Sequence, residues 1–289
     1  RRFEAEKPLN GLKISISIHL EAKTAYFAHV LRAGGAEVYT TGCNPLSTQD
    51  EVAAALAADG FVVNAVHGAS AEEYTRHLER TLACLPDIVV DDGGDLLAVL
   101  EERRPEYGVN VRAVCEETTT GVLRMKARER AGKLNFPCFA VNDAKSKHLF
   151  DNRYGTGQSV WDAIMHTTNY MVTGKTVVVA GYGFCGRGIA KNARGLGARV
   201  IVTEVDPHAA LEAMLDGNEV MPMSAAAALG DIFITATGCN EVITAEHFAK
   251  MKDGAILSNA GHFDVEVDVR ALKKAAESSF ERKPGITGY

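Results

Sequence analysis

The chain has 289 residues, 46% apolar and 24% charged, the profile of a globular protein with material for about two domains. A net charge of −6 with no basic run argues against a nucleic-acid surface, and no long apolar span or leader pattern points to a membrane. The six cysteines (Cys43, Cys84, Cys115, Cys138, Cys185, Cys239) form no CxxC pair, so reduced thiols in a cytosolic protein are expected, with no metal.

The first half alternates strand-like and helix-like segments. Strands are predicted over 12–20, 36–41, 61–66, 87–90, 111–114 and 138–141. Helices are predicted over 24–33, 48–58, 70–83, 96–102 and 122–131. Ser70-Ala71-Glu72-Glu73 reads as a capping box. This alternation predicts a parallel sheet wrapped by helices. Ligands of such sheets bind beyond the carboxyl ends of the strands. Those positions are polar here: His19, Cys43-Asn44, Asp91-Asp92, Glu116-Glu117-Thr118 and Asn142-Asp143.

Residues 151–171 read as a connector followed by an amphipathic helix, with Gly155 and Gly157 allowing backbone rearrangement. Residues 176–204, TVVVAGYGFCGRGIAKNARGLGARVIVTE, then give strand, glycine turn, helix, strand and acid in order. This is the order of a dinucleotide site. Gly181 permits the turn, Gly183 lets the backbone approach a pyrophosphate, and Gly186 allows close helix–strand packing. Glu204, 18 residues past Gly186, is placed to accept from both ribose hydroxyls and to repel a 2′-phosphate, which favours NAD. Further helices are predicted over 208–216, 225–229 and 245–250, and strands over 219–221, 232–235 and 255–258. The fold class expected is α/β, with two doubly wound parallel-sheet domains. A substrate-binding domain over 1–154 precedes a Rossmann NAD-binding domain over 155–289.

Several longer segments carry a resemblance: CNPLSTQD (43–50), DDGGD (91–95), EETTTG (116–121), NDAKSKHLFDNRYGTGQS (142–159), GYGFCGRG (181–188) and NAGHFDVEVD (259–268). Together they closely resemble the S-adenosylhomocysteine hydrolase family over nearly the whole chain. HLEAKTA (19–25) and DNRYGTGQS look like its archaeal and thermophile-type branch. The resemblance implies NAD-dependent, reversible hydrolysis of S-adenosyl-L-homocysteine to adenosine and L-homocysteine. The ribose 3′-hydroxyl is oxidised, C4′ loses a proton, the thiol is eliminated, water adds, and the ketone is reduced again.

The residue roles come from the same resemblance. Lys147 matches the first lysine of the family's TKSKFDN-type segment and would accept the 3′-hydroxyl proton; Lys145 competes for that match, but alignment on Asn142 and Asp151 favours Lys147. Asp151 would bond the ribose hydroxyls and Asn152 would orient the lysine. Asp92 would take or relay the C4′ proton, His19 would assist the sulfur and the water, and Glu117 would hold the 2′,3′-hydroxyl region. Glu21, Lys23 and Thr24 would contact the purine or ribose. Thr118, Thr119 and Thr120 would reach the nicotinamide ribose and amide, and His262, after Gly261, the nicotinamide or the substrate's 5′ end. Thr237 and Gly238 would line the adenine or pyrophosphate end of NAD, with Asn152, Phe184 and Cys185 also against the cofactor. The other cysteines are read as structural.

Three features depart from the family pattern. The family continues past the equivalent of Tyr289 with a strand, a helix, a Gly-His-Pro loop and a tail, so the NAD-binding half is expected to be C-terminally incomplete; the start at Arg1 is expected of a trimmed N-terminus. Thr156 stands where many relatives have cysteine. Lys23 stands where many have an acidic residue or glutamine at the purine edge. A lysine only donates hydrogen bonds, which suits the carbonyl of hypoxanthine and gives S-inosylhomocysteine as an alternative substrate. A homotetramer is implied by the resemblance. Competing readings are a 2-hydroxyacid or amino-acid dehydrogenase on a similar frame, and a non-catalytic NAD-binding regulator. The first would need an Arg–His–acid set, and the second usually carries a Ser-rich extension.

Overall fold

The computed structural model describes residues 1–283 and 285–289 and divides by contacts into two units, 1–144 and 145–289.

In the first unit, β1 (Lys13–Ser17), β2 (Glu37–Thr41), β3 (Val62–Val63), β4 (Ile88–Asp91), β5 (Ala113–Glu116) and β6 (Cys138–Ala140) form one sheet. Their order is β3-β2-β1-β4-β5-β6, and every pairing is parallel. That order reverses between β1 and β4, which makes their carboxyl ends the switch point where ligands of such sheets bind. Helices pack on the sheet through apolar stripes. Ile14, Ile16, Leu20 and Leu56 are closed off in one core, and Leu82, Val89, Leu96 and Val114 in another. The helix Ala71–Leu82 opens with the predicted capping box: Glu73 N donates to Ser70 Oγ, and Ser70 N to the Glu73 carboxylate.

Several boundaries shift by a few residues: the strands expected over 12–20 and 111–114 are Lys13–Ser17 and Ala113–Glu116, which puts Glu116 at the end of the strand itself, and the helix expected over 225–229 is Met223–Ala226. Two further shifts have plain physical reasons. β3 shrinks to two residues because it is an edge strand held only through Tyr39–Val62 and Thr40–Val63. The helix predicted from Val122 starts at Thr119 and runs to Arg130. Thr119 and Thr120 therefore lie in its first turn, with Thr118 as N-cap.

The second unit contains β7 (Thr176–Ala180), β8 (Arg199–Thr203), β9 (Glu219–Val220), β10 (Ile232–Thr235) and β11 (Ile256–Asn259), ordered β11-β10-β7-β8-β9 and all parallel. Val177, Val178, Val179, Ile201 and Phe233 are fully buried, as expected where helices cover both faces of a parallel sheet. The connector at 151–156 is a π-type turn, with Gly155 N directed at Phe150 O, leading into the helix Gly157–Thr168. Gly157 lies inside that helix, where a Cβ would come within 2.6 Å of the Gly188 backbone. Close approach to the helix Phe184–Gly195 accounts for this glycine. Trp161 is buried beside it and donates its ring N–H to Ile189 O at 2.9 Å. After β11 come a helix, Val269–Ala275, and an antiparallel hairpin, β12 (Phe280–Lys283) and β13 (Ile286–Gly288), none of which the sequence reading located.

Among the described residues no helix is long and apolar enough to cross a membrane, and all six cysteines are free.

Candidate functional site

In the first unit the polar strand exits meet. His19 follows β1, Cys43 follows β2, and Asp92 follows β4. His19 Nε2 lies 3.6 Å from Asp92 Oδ2, and Cys43 Sγ donates to the same oxygen at 3.2 Å. Asp92 is almost fully buried. Burial, then the Asp92 charge, pushes the Cys43 thiol well above its ordinary range, so it stands as a donor. His19 Nδ1 lies 2.6 Å from Ser47 Oγ, and Ser47 Oγ donates to Asn44 O at 3.0 Å. An open groove of about 680 Å³ runs beside His19, lined also by Glu21, Leu46, Ser47 and His67.

Glu21 caps the helix Ala22–Ala33 by accepting from Lys23 N and Thr24 N, and Thr24 Oγ1 donates to His19 O at 2.6 Å. The Lys23 side chain is 87% exposed, with Nζ 3.8 Å from Glu21.

Glu117 follows β5, its N–H donating to Asp91 O. The residue before it proves the more informative for the architecture. Glu116 is fully buried, and its Oε1 accepts from Gly93 N at 3.0 Å and Thr118 N at 2.9 Å. It ties the loop that carries Asp92 to the loop that carries Glu117. A Cβ on Gly121 would overlap its carboxylate. Burial, then the neighbouring Asp91, pushes Glu116 up to about 8; burial pushes Asp91 up to about 7. Asn142 donates to Thr119 Oγ1 at 3.2 Å, joining the exit of β6 to the same helix start.

In the second unit, Lys147 lies on the short helix Lys145–His148 and Asp151 and Asn152 on the following π-type turn. Lys147 Nζ donates to Asn152 Oδ1 at 2.7 Å and lies 3.7 Å from Asp151 Oδ2. The Lys147 side chain is 11% exposed and that of Asp151 54%, whereas Lys145 is exposed. Asn152 Nδ2 donates to Cys185 Sγ at 3.3 Å, which links the lysine cluster to the glycine turn.

That turn has the geometry a dinucleotide requires. Gly181 has φ +94°. A Cβ on Gly186 would overlap the Gly181 carbonyl oxygen, whereas a Cβ on Gly183 would meet nothing within 4 Å. The third glycine is thus fixed by packing, and the second leaves backbone open to a ligand. Gly183 is the N-cap of the helix Phe184–Gly195, whose first N–H groups suit phosphate. Glu204, at the exit of β8, accepts from Tyr182 N at 2.6 Å and from Val205 and Asp206 N–H. His148 and Phe184 have ring centroids 3.8 Å apart. Across the switch point, Thr237 N and Oγ1 and Gly238 N donate to the fully buried Glu266, and a Cβ on Gly261 would overlap Glu266. Glu266 was not singled out from sequence, yet it sets the Thr237 loop and requires the glycine beside His262. His262 packs edge-on against Phe263.

Gly186→Val should break this turn. The variant is expected to lose at least about tenfold of its bound NAD, measured as nucleotide released on denaturation, because a branched side chain has no room against the Gly181 carbonyl. Full NAD retention would contradict that placement.

Two parallel sheets with ligand loops at their switch points, one bearing a complete glycine fingerprint, define an NAD-dependent α/β enzyme. Known proteins sharpen this class. Residues 1–107 match the family model for S-adenosyl-L-homocysteine hydrolase, and residues 152–289 match its NAD binding domain. The chain is 56% identical over 288 residues to "S-inosyl-L-homocysteine hydrolase" of Methanocaldococcus jannaschii, covering 100% of this chain and 69% of that protein. It is 55% identical over 287 residues to "Adenosylhomocysteinase" of Thermotoga maritima, covering 99% and 71%. The NAD⁺-bound 3-phosphoglycerate dehydrogenase of Entamoeba histolytica is similar in fold, with TM-score 0.52 and 14% identity, covering 91% of this chain and 76% of that one. The chain belongs to the S-adenosyl-L-homocysteine hydrolase family, and its cofactor is NAD.

Proposed function

We propose that the protein hydrolyses the thioether of S-adenosyl-L-homocysteine reversibly to adenosine and L-homocysteine. The observation that carries this reading is the Lys147 cluster. A nearly buried side-chain amino nitrogen is held by Asn152 and Asp151, and Asn152 is joined in turn to the glycine turn. Bound NAD supplies reversible hydride exchange at the ribose 3′ carbon. Lys147 accepts the 3′-hydroxyl proton, with Asn152 orienting its Nζ, while Asp151 accepts from the ribose hydroxyls. Asp92 takes the proton from C4′, and His19 assists departure of sulfur and the approach of water. Glu117 holds the 2′,3′-hydroxyl region. Thr118, Thr119 and Thr120 serve the nicotinamide end, His262 the nicotinamide or the 5′ end, and Thr237 and Gly238 the other end of the cofactor. On this reading residues 1–154 form the substrate-binding domain and 155–289 the NAD-binding one. The protein acts in the cytoplasm as a homotetramer.

A second reading rests on Lys23. Its side chain projects almost fully exposed from the first turn of the helix Ala22–Ala33 and can only donate. That suits the 6-oxo group of hypoxanthine and favours S-inosyl-L-homocysteine. One experiment separates the two. The NAD-loaded protein is given each thioether, and released nucleoside is followed by chromatography. Release of adenosine or inosine without net NADH is expected, with Lys23→Gln shifting preference toward the adenosyl compound. No release from either substrate would overturn the hydrolase reading.

A further inference from the structure

We propose that His19, Cys43 and Asp92 form a binding site for a thiophilic divalent cation of the zinc type, occupied at the expense of substrate. The ligand atoms of the three side chains lie within 4.8 Å of one another. Two of the three separations lie within about 0.3 Å of those of a tetrahedral zinc site. Ordinary zinc bond lengths put a carboxylate oxygen about 3.3 Å from an imidazole nitrogen and about 3.5 Å from a thiolate sulfur on the same ion. The structure has 3.6 Å for Asp92 Oδ2 to His19 Nε2 and 3.2 Å for Asp92 Oδ2 to Cys43 Sγ.

The surroundings of the ligands support the same reading. His19 Nδ1 is hydrogen-bonded to Ser47 Oγ at 2.6 Å, and Ser47 Oγ is in turn bonded to Asn44 O. Nε2 of the same ring faces the Asp92 carboxylate at 3.6 Å, so the two can share one cation. Ordering of the remote histidine nitrogen by a hydrogen bond is the usual outer-shell device of histidine metal sites. Cys43 is anchored in the same way: its carbonyl accepts from Tyr74 Oη at 2.9 Å, and Tyr74 Oη also bonds Asp95 at 3.0 Å. His19 borders the open groove, which leaves a fourth coordination position for water. Residues 19, 43 and 92 follow three different strands, so no linear motif announces the set.

On binding, the cation forms a bond to sulfur and the Cys43 thiol proton leaves to solvent, so uptake releases a proton and strengthens as pH rises. Inhibition by the ion rests on the hydrolase reading, because it removes the groups assigned there to the C4′ proton and the leaving sulfur. Binding does not rest on it, so the two are read separately.

Chelator-treated, NAD-loaded protein is titrated with Co²⁺, followed by the thiolate-to-cobalt charge-transfer band, and with Zn²⁺ by calorimetry. A charge-transfer band of tetrahedral type is expected, and it disappears in Cys43→Ala but persists in Cys185→Ala and Cys239→Ala. Zn²⁺ affinity should fall in Cys43→Ala by more than the ~10–100-fold that loss of an outer-shell partner costs, and by a smaller factor in Ser47→Ala. Retained NAD content shows that Cys43→Ala is folded. No band in the wild type, or a band that survives Cys43→Ala, overturns the site. Zn²⁺ bound at the site with hydrolysis unchanged overturns the inhibition. Absence of hydrolysis in metal-free protein would count against the hydrolase reading alone.

Discussion

Lys147→Met is expected to abolish hydrolysis, lowering turnover on the order of 10³-fold, while NAD content stays at the wild-type level. Methionine keeps the length and apolar stem of the lysine, so a side chain that is 11% exposed can still pack. What disappears is the one nitrogen that donates to Asn152 Oδ1 at 2.7 Å and faces Asp151. General acid–base groups contribute roughly 10²–10⁴-fold, and this one serves both removal and return of the 3′-hydroxyl proton. Lys145→Met is the matched control. Lys145 shares the short helix with Lys147 but is exposed, and its replacement should leave turnover within about twofold, as at most surface positions. Nucleoside release and nucleotide content are measured on the same samples. An active Lys147→Met enzyme, or an inactive Lys145→Met enzyme, would reverse the assignment.

What the sequence made legible follows from how local each signal is. The glycine fingerprint is readable because backbone needs act within a few residues: a positive φ at Gly181 and no room for a Cβ at Gly186. The capping box at Ser70 and the polar exits of β1, β2, β4, β5 and β6 are local in the same sense. The π-type turn at 151–156 is set by tertiary packing, with the Arg153 carbonyl lying where a Cβ on Gly188 would go, so it reads from sequence only as a connector. The helix at 269–275 and the hairpin after it carry little buried apolar surface, hence little periodic signal. Cys43, read as structural, meets Asp92 only through the order of the sheet.

The least legible residues are two buried carboxylates, one in each unit, that act alike. Glu116 accepts from Gly93 N and Thr118 N, and Glu266 accepts from Thr237 N and Gly238 N. In both cases a side chain from one strand exit or loop gathers the main chain of a neighbouring ligand loop, and a glycine, Gly121 or Gly261, leaves it room. From sequence either glutamate reads as an ordinary polar residue beside a more eventful one. Their placement shows that a loop carrying candidate site residues in each unit is tied by a buried carboxylate.

For Glu116 this has a measurable consequence. Its carboxyl is pushed up to about 8 in the folded chain, against an ordinary glutamate value of 4.5, first by burial and then by Asp91. The folded state therefore keeps a proton that the unfolded chain gives up above about pH 4.5. Stability should fall as pH rises from there through about 8 and level off beyond, since the native state binds more protons across that window. Glu116→Gln removes this ionisation but keeps an oxygen acceptor for Gly93 and Thr118. It should match the wild type at pH 5 and exceed it at pH 9, by on the order of 1–3 kcal/mol after relaxation of the site. Glu116→Ala should behave oppositely. With no acceptor, two main-chain N–H groups lose their partner at about 1–3 kcal/mol each, so the variant is destabilised at every pH. It should also turn over more slowly, because the Asp92 and Glu117 loops are no longer tied together. Urea unfolding of the three proteins at pH 5, 7 and 9 measures all of this. If Glu116→Gln shows the same pH slope as the wild type, the buried glutamate does not hold its proton and is an ionised anchor instead.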